Sequence, residues 1–247
     1  MKDMFTPYLL LKKSFDIADI VISHIPSSRE LDVISDKQVS ALWANLVKKS
    51  KKTWRKRFDG MFYRVENVED LSAGDQIHIE LSTINYRYVC GHVVKSLYDI
   101  YSKSKNTHPQ HLATAAMILT TDGYRVFGQR SDRDAVDLIW WGTGPDDVMI
   151  HTWSDLLTNL KKELREEAWI QDEHIDTLVW IGMLSSFTTN IIMMTEVKLT
   201  VTRQELDTIF ASRTDDEMSS LIYIPEGEID LYMEWLPSYR PLICELI

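Results

Sequence analysis

The segment from Thr152 to about Trp169 constrains the fold of this 247-residue chain more than any other part of the sequence. Apolar residues recur there at every fourth position, which predicts an amphipathic helix packed on a core: Leu156, Leu160, Leu164 and Ala168. Glutamates at positions i, i+3 and i+4 form another face: Glu163, Glu166 and Glu167. Carboxylates at this spacing repel one another, and a divalent cation such as Mg²⁺ would turn that repulsion into ligation. The same acidic face is also typical of a solvated helix, whose partners here are Lys161, Lys162 and Arg165.

Strand patterns lie on both sides of this helix. Before it, the apolar run 112–119, the turn at 120–123 and the strand 124–130 predict a hairpin, and a short strand at 139–141 leads into the loop Gly142-Thr143-Gly144-Pro145. After it, the sequence predicts strands at 177–184, 191–200 and 218–224, a short helix at 202–210 and a closing helix at 235–247. The alternation of strands and helices is typical of the α/β class.

The first hundred residues carry a pattern of their own. A strand at 17–25 is followed by an amphipathic helix from Asp36 to about Trp54, and then by an antiparallel pair at 62–65 and 76–81. Tyr86 to Val89 either continue the sheet or open a helix that runs to about Ser102. Ser102 to Gln110 has the composition of a linker. We therefore predict an N-terminal α/β extension at 1–105 and a second domain at 106–247. Because an isolated hairpin is marginal in water, the two parts should share a core and form a cleft near Glu163.

The order of hairpin, glycine-containing loop, helix with Glu-x-x-Glu-Glu and further strands resembles the Nudix hydrolase family over about residues 112–224. The box of that family reads Gly-x5-Glu-x7-Arg-Glu-φ-x-Glu-Glu-x-Gly-φ, where φ is aliphatic, and its second half is similar to residues 162–170. The resemblance implies an α/β/α sandwich with a mixed sheet. This sequence departs from the box at four positions. Val148 and Trp169 replace its two glycines, Ser154 replaces its first glutamate, and Lys162 replaces its arginine. With Trp169 in place of glycine, the helix lacks the residue that most readily adopts the left-handed conformation at a helix end. All three glutamates that would bind metal are present.

A finer resemblance concerns the N-terminal extension. Residues 57–65 and 81–87 are similar to two segments of the N-terminal domain in the Nudix branch that cleaves UDP-sugars. In that branch the first half of the box is likewise eroded.

The resemblance implies hydrolysis of a nucleoside diphosphate linked to another moiety, as in a UDP-sugar, with release of a nucleoside monophosphate. It implies Mg²⁺ or Mn²⁺ at Glu163, Glu166 and Glu167, and a general base at Glu163 or Glu217, with Glu196 in reserve. The expected substrate contacts are Arg130, Arg87, Trp141 and the basic run at 48–57. The nucleobase and the sugar are left open.

A second hypothesis is a catalytically degenerate Nudix-fold module that binds nucleotides or regulates without turnover. The eroded first half of the box and Trp169 favour it. Under either hypothesis, a net charge of −10 disfavours nucleic acid as a partner. No apolar run is long enough for a membrane span, no signal peptide is evident, and Cys90 and Cys244 make no disulfide framework. We therefore expect a cytoplasmic protein without a membrane partner, and its oligomeric state is left open.

Overall fold

A computed structural model describes residues 8–15, 20–26, 36–50, 59–71, 76–90, 93, 110–131, 136–137, 139–142, 149–185, 190–213 and 218–232. Within these ranges the strands are β1 (Tyr8–Phe15), β2 (Ile20–His24), β3 (Met61–Leu71), β4 (Gln76–Asn85), β5 (Gln110–Leu119), β6 (Tyr124–Arg130), β7 (Val136–Asp137), β8 (Ile139–Gly142), β9 (Ile175–Ser185), β10 (Asn190–Leu199) and β11 (Met218–Pro225). The helices are α1 (Asp36–Ser50), α2 (Tyr86–Val89), α3 (Trp153–Ala168) and α4 (Arg203–Ala211), and 3-10 turns cover Asp172–His174 and Glu226–Tyr232.

The described strands form one mixed sheet. Its main path runs β1-β9-β10-β5-β3-β4-β2, while β8 and β6 also pair with β5, and β6 pairs with β7 and β11. The pairs β10·β5 and β2·β4 are parallel, and the others are antiparallel. The predicted α/β fold with a mixed sheet is therefore confirmed.

Strands from the N-terminal part lie in the same sheet as those of the second part. β3 pairs with β5 through Arg64 opposite His111 and Val65 opposite Gln110. One apolar cluster draws on both parts of the chain: Ile20, Tyr63, Ile77, Ile79, Leu81, Leu112, Ile150, Leu156, Trp180, Met183, Ile191 and Met193. The predicted boundary at about residue 105 lies outside the described residues, so the division into two domains stays a prediction.

The start of α3 is fixed by a carboxylate. Asp155 accepts hydrogen bonds from the backbone N–H groups of His151 and Thr152, both at 2.8 Å, and from the Thr152 hydroxyl at 3.0 Å. These bonds satisfy N–H groups at the helix start that lack an intrahelical acceptor, so the chain enters the helix at a defined residue.

The end of α3 is fixed by Trp169. This residue adopts the left-handed conformation, with φ 59° and ψ 21°. Its N–H donates to the carbonyl of Arg165 at 3.2 Å, and the N–H of Ile170 donates to the carbonyl of Leu164 at 3.0 Å. The second bond is the one that a glycine normally supports at a helix end. The helix therefore ends at the position where the last glycine of the Nudix box would fall, although a tryptophan occupies it.

Several local expectations are resolved by the structure. Residues 86–89 form the helix α2, and α1 is described over Asp36–Ser50. The strand β1 was not predicted from the sequence. Residues 51–58 and the closing helix predicted at 235–247 lie outside the described residues.

Candidate metal-binding site

α3 buries its apolar stripe with residues of β5 and β10, and its backbone lies near β8 and β5. Near the start of the helix, Leu156 packs in the cluster that contains Leu112 and Ile191. Further along, the stripe packs with Ala116 and Val197 in a second cluster: Leu160, Leu164 and Ala168. The apolar stripe predicted from the sequence is therefore buried over its whole length.

Two of the three predicted metal ligands point into the protein. Glu163 and Glu167 are each only 2% exposed, whereas the side chain of Glu166 is 56% exposed. The prediction that all three form a face apart from the apolar stripe is therefore wrong. The reason is geometric, since at about 100° per residue Glu163 and Glu167 project within about 20° of a leucine of the stripe.

Basic side chains accompany these carboxylates. Lys162 places its Nζ 3.6 Å from an oxygen of Glu163 and 4.0 Å from an oxygen of Glu166. Arg130, at the end of β6, places its Nη1 3.9 Å from an oxygen of Glu167, with a side chain that is 12% exposed. The structure thus brings Arg130 together with one of the buried glutamates, as a phosphate contact beside a metal site would require.

The donor chemistry of Glu163 and Glu167 fits a small hard cation. Mg²⁺ prefers carboxylate oxygens, and it is commonly held by one or two carboxylates while water and substrate phosphates complete its shell. Two adjacent buried carboxylates meet that requirement. Among the residues that the structure describes, no group of three or more His, Cys, Asp or Glu side chains has the arrangement of a metal site. Glu166 would have to contribute from the solvent side of the helix.

The other predicted site residues lie elsewhere or outside the described part of the chain. Arg87 is in α2, which packs on α1 and β4; its backbone N–H donates to Asp59 at 2.8 Å, and its Nε lies 3.6 Å from the same carboxylate. Trp141 is in β8 opposite Thr114, but its side chain is outside the described residues. Glu217 and residues 51–57 of the basic run are outside them as well.

Glu196, the reserve candidate for the general base, faces away from α3. Its strand neighbours Thr195 and Val197 lie on the helix side of β10, and side chains alternate along a strand. Glu196 instead accepts a hydrogen bond from Nη2 of the buried Arg125 at 2.8 Å. The same Nη2 donates to Glu226 at 2.6 Å. Glu196 therefore belongs to an ion-pair group on the other side of the sheet.

Sequence reasoning missed two residues that hold the segment before α3. The Nε2 of His24 is hydrogen bonded to the carbonyl oxygen of Ile150. The hydroxyl of Tyr63 accepts the N–H of Ile150 at 3.2 Å and donates to the sulfur of Met149 at 3.6 Å. These contacts join residues that are far apart in the chain, so no local sequence pattern could predict them. They tie β2 and β3 to the start of the helix that carries the glutamates.

The pKa of Asp155, whose carboxyl group belongs to the capping box of α3, is also shifted. The N–H of His151, and then the N–H and hydroxyl of Thr152, hold the pKa of Asp155 below its ordinary value. These donors stabilise the charged form more than burial disfavours it. The cap is therefore present as a carboxylate at neutral pH.

Several solved structures are similar to this chain at low sequence identity. A Nudix hydrolase from Nitrosomonas europaea is 12% identical, with 56% of this chain and 85% of that chain covered and a TM-score of 0.37. A bifunctional NMN adenylyltransferase/ADP ribose pyrophosphatase from Francisella tularensis, complexed with AMP and a manganese ion, is 13% identical, with 62% and 44% covered and a TM-score of 0.42. A pyrophosphohydrolase from Bacillus subtilis is 11% identical, with 50% and 67% covered and a TM-score of 0.31.

No family model matches the sequence, and no curated protein matches it. In the described part of the chain, no helix combines the length and the apolar character needed to cross a membrane.

Proposed function

We propose that this protein is a Nudix-type hydrolase that cleaves the diphosphate of a nucleoside diphosphate linked to another moiety, with the help of Mg²⁺ or Mn²⁺. The observation that carries the proposal is the pair of buried glutamates on α3, Glu163 and Glu167, with Arg130 beside the second. The motif from Lys162 to Glu167 supports it, because the two buried residues are two of the three at which the resemblance to the Nudix box predicts metal ligands.

The residues of this chain have distinct roles in the proposed reaction. Glu163 and Glu167 would hold the cation with buried carboxylates, and Glu166 would hold it with an exposed one. The cation, when bound, neutralises the diphosphate and lowers the pKa of a water molecule. Arg130 donates hydrogen bonds to phosphate oxygens, which suits its planar guanidinium.

The bond changes of the proposed hydrolysis are simple. The oxygen of water forms a bond to one phosphorus, and the phosphoanhydride bond to the bridging oxygen breaks. Glu163 or Glu217 accepts the proton of the water, and the bridging oxygen leaves with the second phosphate. The products are a nucleoside monophosphate and the phosphorylated moiety.

The identity of the substrate is a finer proposal. Similarity of residues 57–65 and 81–87 to the UDP-sugar branch supports a UDP-sugar. In that case Arg87 meets the sugar or a phosphate, and Trp141 stacks on the base. The site would lie where the N-terminal extension meets the second domain, in a cytoplasmic protein that needs neither nucleic acid nor membrane.

The test is release of nucleoside monophosphate from UDP-sugars, with and without Mg²⁺, by the wild type and by Glu167→Gln. Glutamine keeps the size of the side chain but removes the charge that binds the cation, so we expect the rate to fall at least about a hundredfold. Glu173→Gln is a matched control, because Glu173 is exposed and lies beyond the helix. Equal rates for Glu167→Gln and the wild type would remove Glu167 from the mechanism.

The second candidate function is a nucleotide-binding module without turnover. The exposed position of Glu166 favours it, since only two of the three glutamates face the interior. This function predicts binding of a nucleoside diphosphate sugar by calorimetry, while no product forms at high protein concentration with Mn²⁺. Turnover of any UDP- or GDP-sugar above background would exclude this second function.

A further inference from the structure

A layer of three polar side chains lies between α3 and the sheet, one helical turn before Glu163. It consists of Asn159 of α3, Thr114 of β5 and Thr195 of β10, none of which is more than 1% exposed. The amide oxygen and nitrogen of Asn159 and both threonine hydroxyls are buried. None of these four atoms has a hydrogen-bond partner among the residues that the structure describes.

The sheet register and the packing place these three residues at one level of the interface. In the parallel pairing, Thr114 lies opposite Met193, and Thr195 lies opposite Ala116, so the two threonines are diagonal neighbours on one face. The same two apolar clusters lie on either side of all three residues: Leu112, Met193 and Leu156 on one side, and Ala116, Val197 and Leu160 on the other.

Polar atoms buried in this way need partners. A buried donor or acceptor without a hydrogen bond carries the full cost of its desolvation, so such groups in native proteins are satisfied by protein or by ordered water. Two hydroxyls and one amide buried at the same level between the two apolar clusters offer the two to four polar partners that hold an internal water molecule. Valine in place of threonine would have filled the same volume without that cost.

We propose that ordered water occupies this layer, held by Asn159, Thr114 and Thr195, and that Asn159 positions Glu163 through that water. Residues four apart on a helix are neighbours at about 5–6 Å between their Cβ atoms, and Glu163 is the residue four beyond Asn159. Asn159 donates through Nδ2 to the water oxygen, and the water donates to a carboxylate oxygen of Glu163. The positioning role rests on the proposed function, because it concerns a ligand of the cation.

The water layer is tested by the sign of a stability change. Thr195→Val and Asn159→Leu remove a partner of the water, so we expect the Tm to fall by about 2–4 °C relative to a control. Thr177→Val is the matched control, because Thr177 is an exposed threonine of β9 and reports the strand preference of valine alone. If the layer is dry, the two variants remove a buried polar group with no partner, and a Tm equal to or above the control would overturn the proposal.

The positioning role is tested by Mn²⁺ affinity rather than by activity. We expect Asn159→Leu to raise the Mn²⁺ dissociation constant roughly tenfold, which is the usual size of effect for residues that orient a metal ligand. Asn159→Ser leaves room for a further water and should retain more affinity than the leucine variant. Wild-type affinity in Asn159→Leu would show that Asn159 does not position Glu163. If the wild type itself binds no Mn²⁺, the proposed function fails and the positioning role with it, while the stability comparison still decides whether the layer holds water.

Discussion

At the scale of single residues, Trp169 is an unusual choice for a helix end. It is the only residue other than glycine with a positive φ in the described part of the chain. The left-handed conformation costs a residue with a Cβ about 1–2 kcal/mol. We expect Trp169→Gly to be more stable than Trp169→Ala by about 1 kcal/mol in urea unfolding, because both variants lack the indole and only glycine escapes this cost. Equal stabilities of the two variants would show that the left-handed conformation at position 169 costs no measurable free energy.

Arg130 should weaken the binding of the metal ion and strengthen the binding of the substrate. Its guanidinium lies 3.9 Å from Glu167, so it competes with a cation for that carboxylate. We therefore expect Arg130→Gln to bind Mn²⁺ several-fold more tightly while raising the KM for a nucleoside diphosphate sugar. Arg165→Gln serves as the control, since Arg165 pairs with the exposed Asp172. A variant with weaker Mn²⁺ binding and an unchanged KM would exclude Arg130 as a phosphate contact.

At the scale of elements, α3 and the hairpin of β5 and β6 could be predicted because their patterns are local. The recurrence of an apolar residue at every fourth position can be read within the helix itself, and the turn before Tyr124 is set by Gly123 with φ 80°. The pairing of β1 with β9 joins residues 8–15 to 175–185, and no local pattern encodes such a contact. The division of the glutamates into two buried and one exposed was missed for another reason. It follows from the helical repeat, but only once the face that meets the sheet is known.

The cap of α3 makes the stability of this element depend on pH. Asp155 is the third residue of α3 and completes a capping box with the N-cap residue Thr152, so Asp155→Ala should lower the free energy of unfolding by about 1 kcal/mol at pH 7. The pKa of Asp155 is lowered in the folded protein, so its contribution is complete above the pKa of the unfolded chain, about 3.9, and is lost as the pH falls through the folded value. The difference between wild type and variant should therefore shrink below about pH 4, as measured by thermal unfolding across pH. A difference that stays constant down to pH 2 would show that the charge of Asp155 contributes nothing.

At the scale of the whole molecule, the N-terminal strands hold the site helix in place through a few specific contacts. β3 contributes Tyr63, which is 1% exposed and bonds to the segment just before α3. β2 contributes His24, whose ring lies 5.5 Å from that of Tyr63 and 5.4 Å from that of His151. The shared sheet and these contacts connect the N-terminal strands to the start of the helix that carries Glu163 and Glu167. They could not be predicted from either segment alone.

This connection predicts that a substitution far from α3 in sequence alters the proposed metal site. Tyr63→Phe removes the oxygen that accepts the N–H of Ile150, and it leaves a buried donor without its partner, at a cost of about 1–3 kcal/mol. Because Ile150 lies two residues before the helix cap, the loss also loosens the start of α3, and we expect weaker Mn²⁺ binding as well as a lower Tm. Tyr223→Phe is the matched control. Its hydroxyl donates to Asp207 of α4 at 2.7 Å, so its loss should lower stability with no effect on Mn²⁺ affinity. If both variants lose stability and neither loses affinity, the N-terminal strands support the fold but do not organise the metal site.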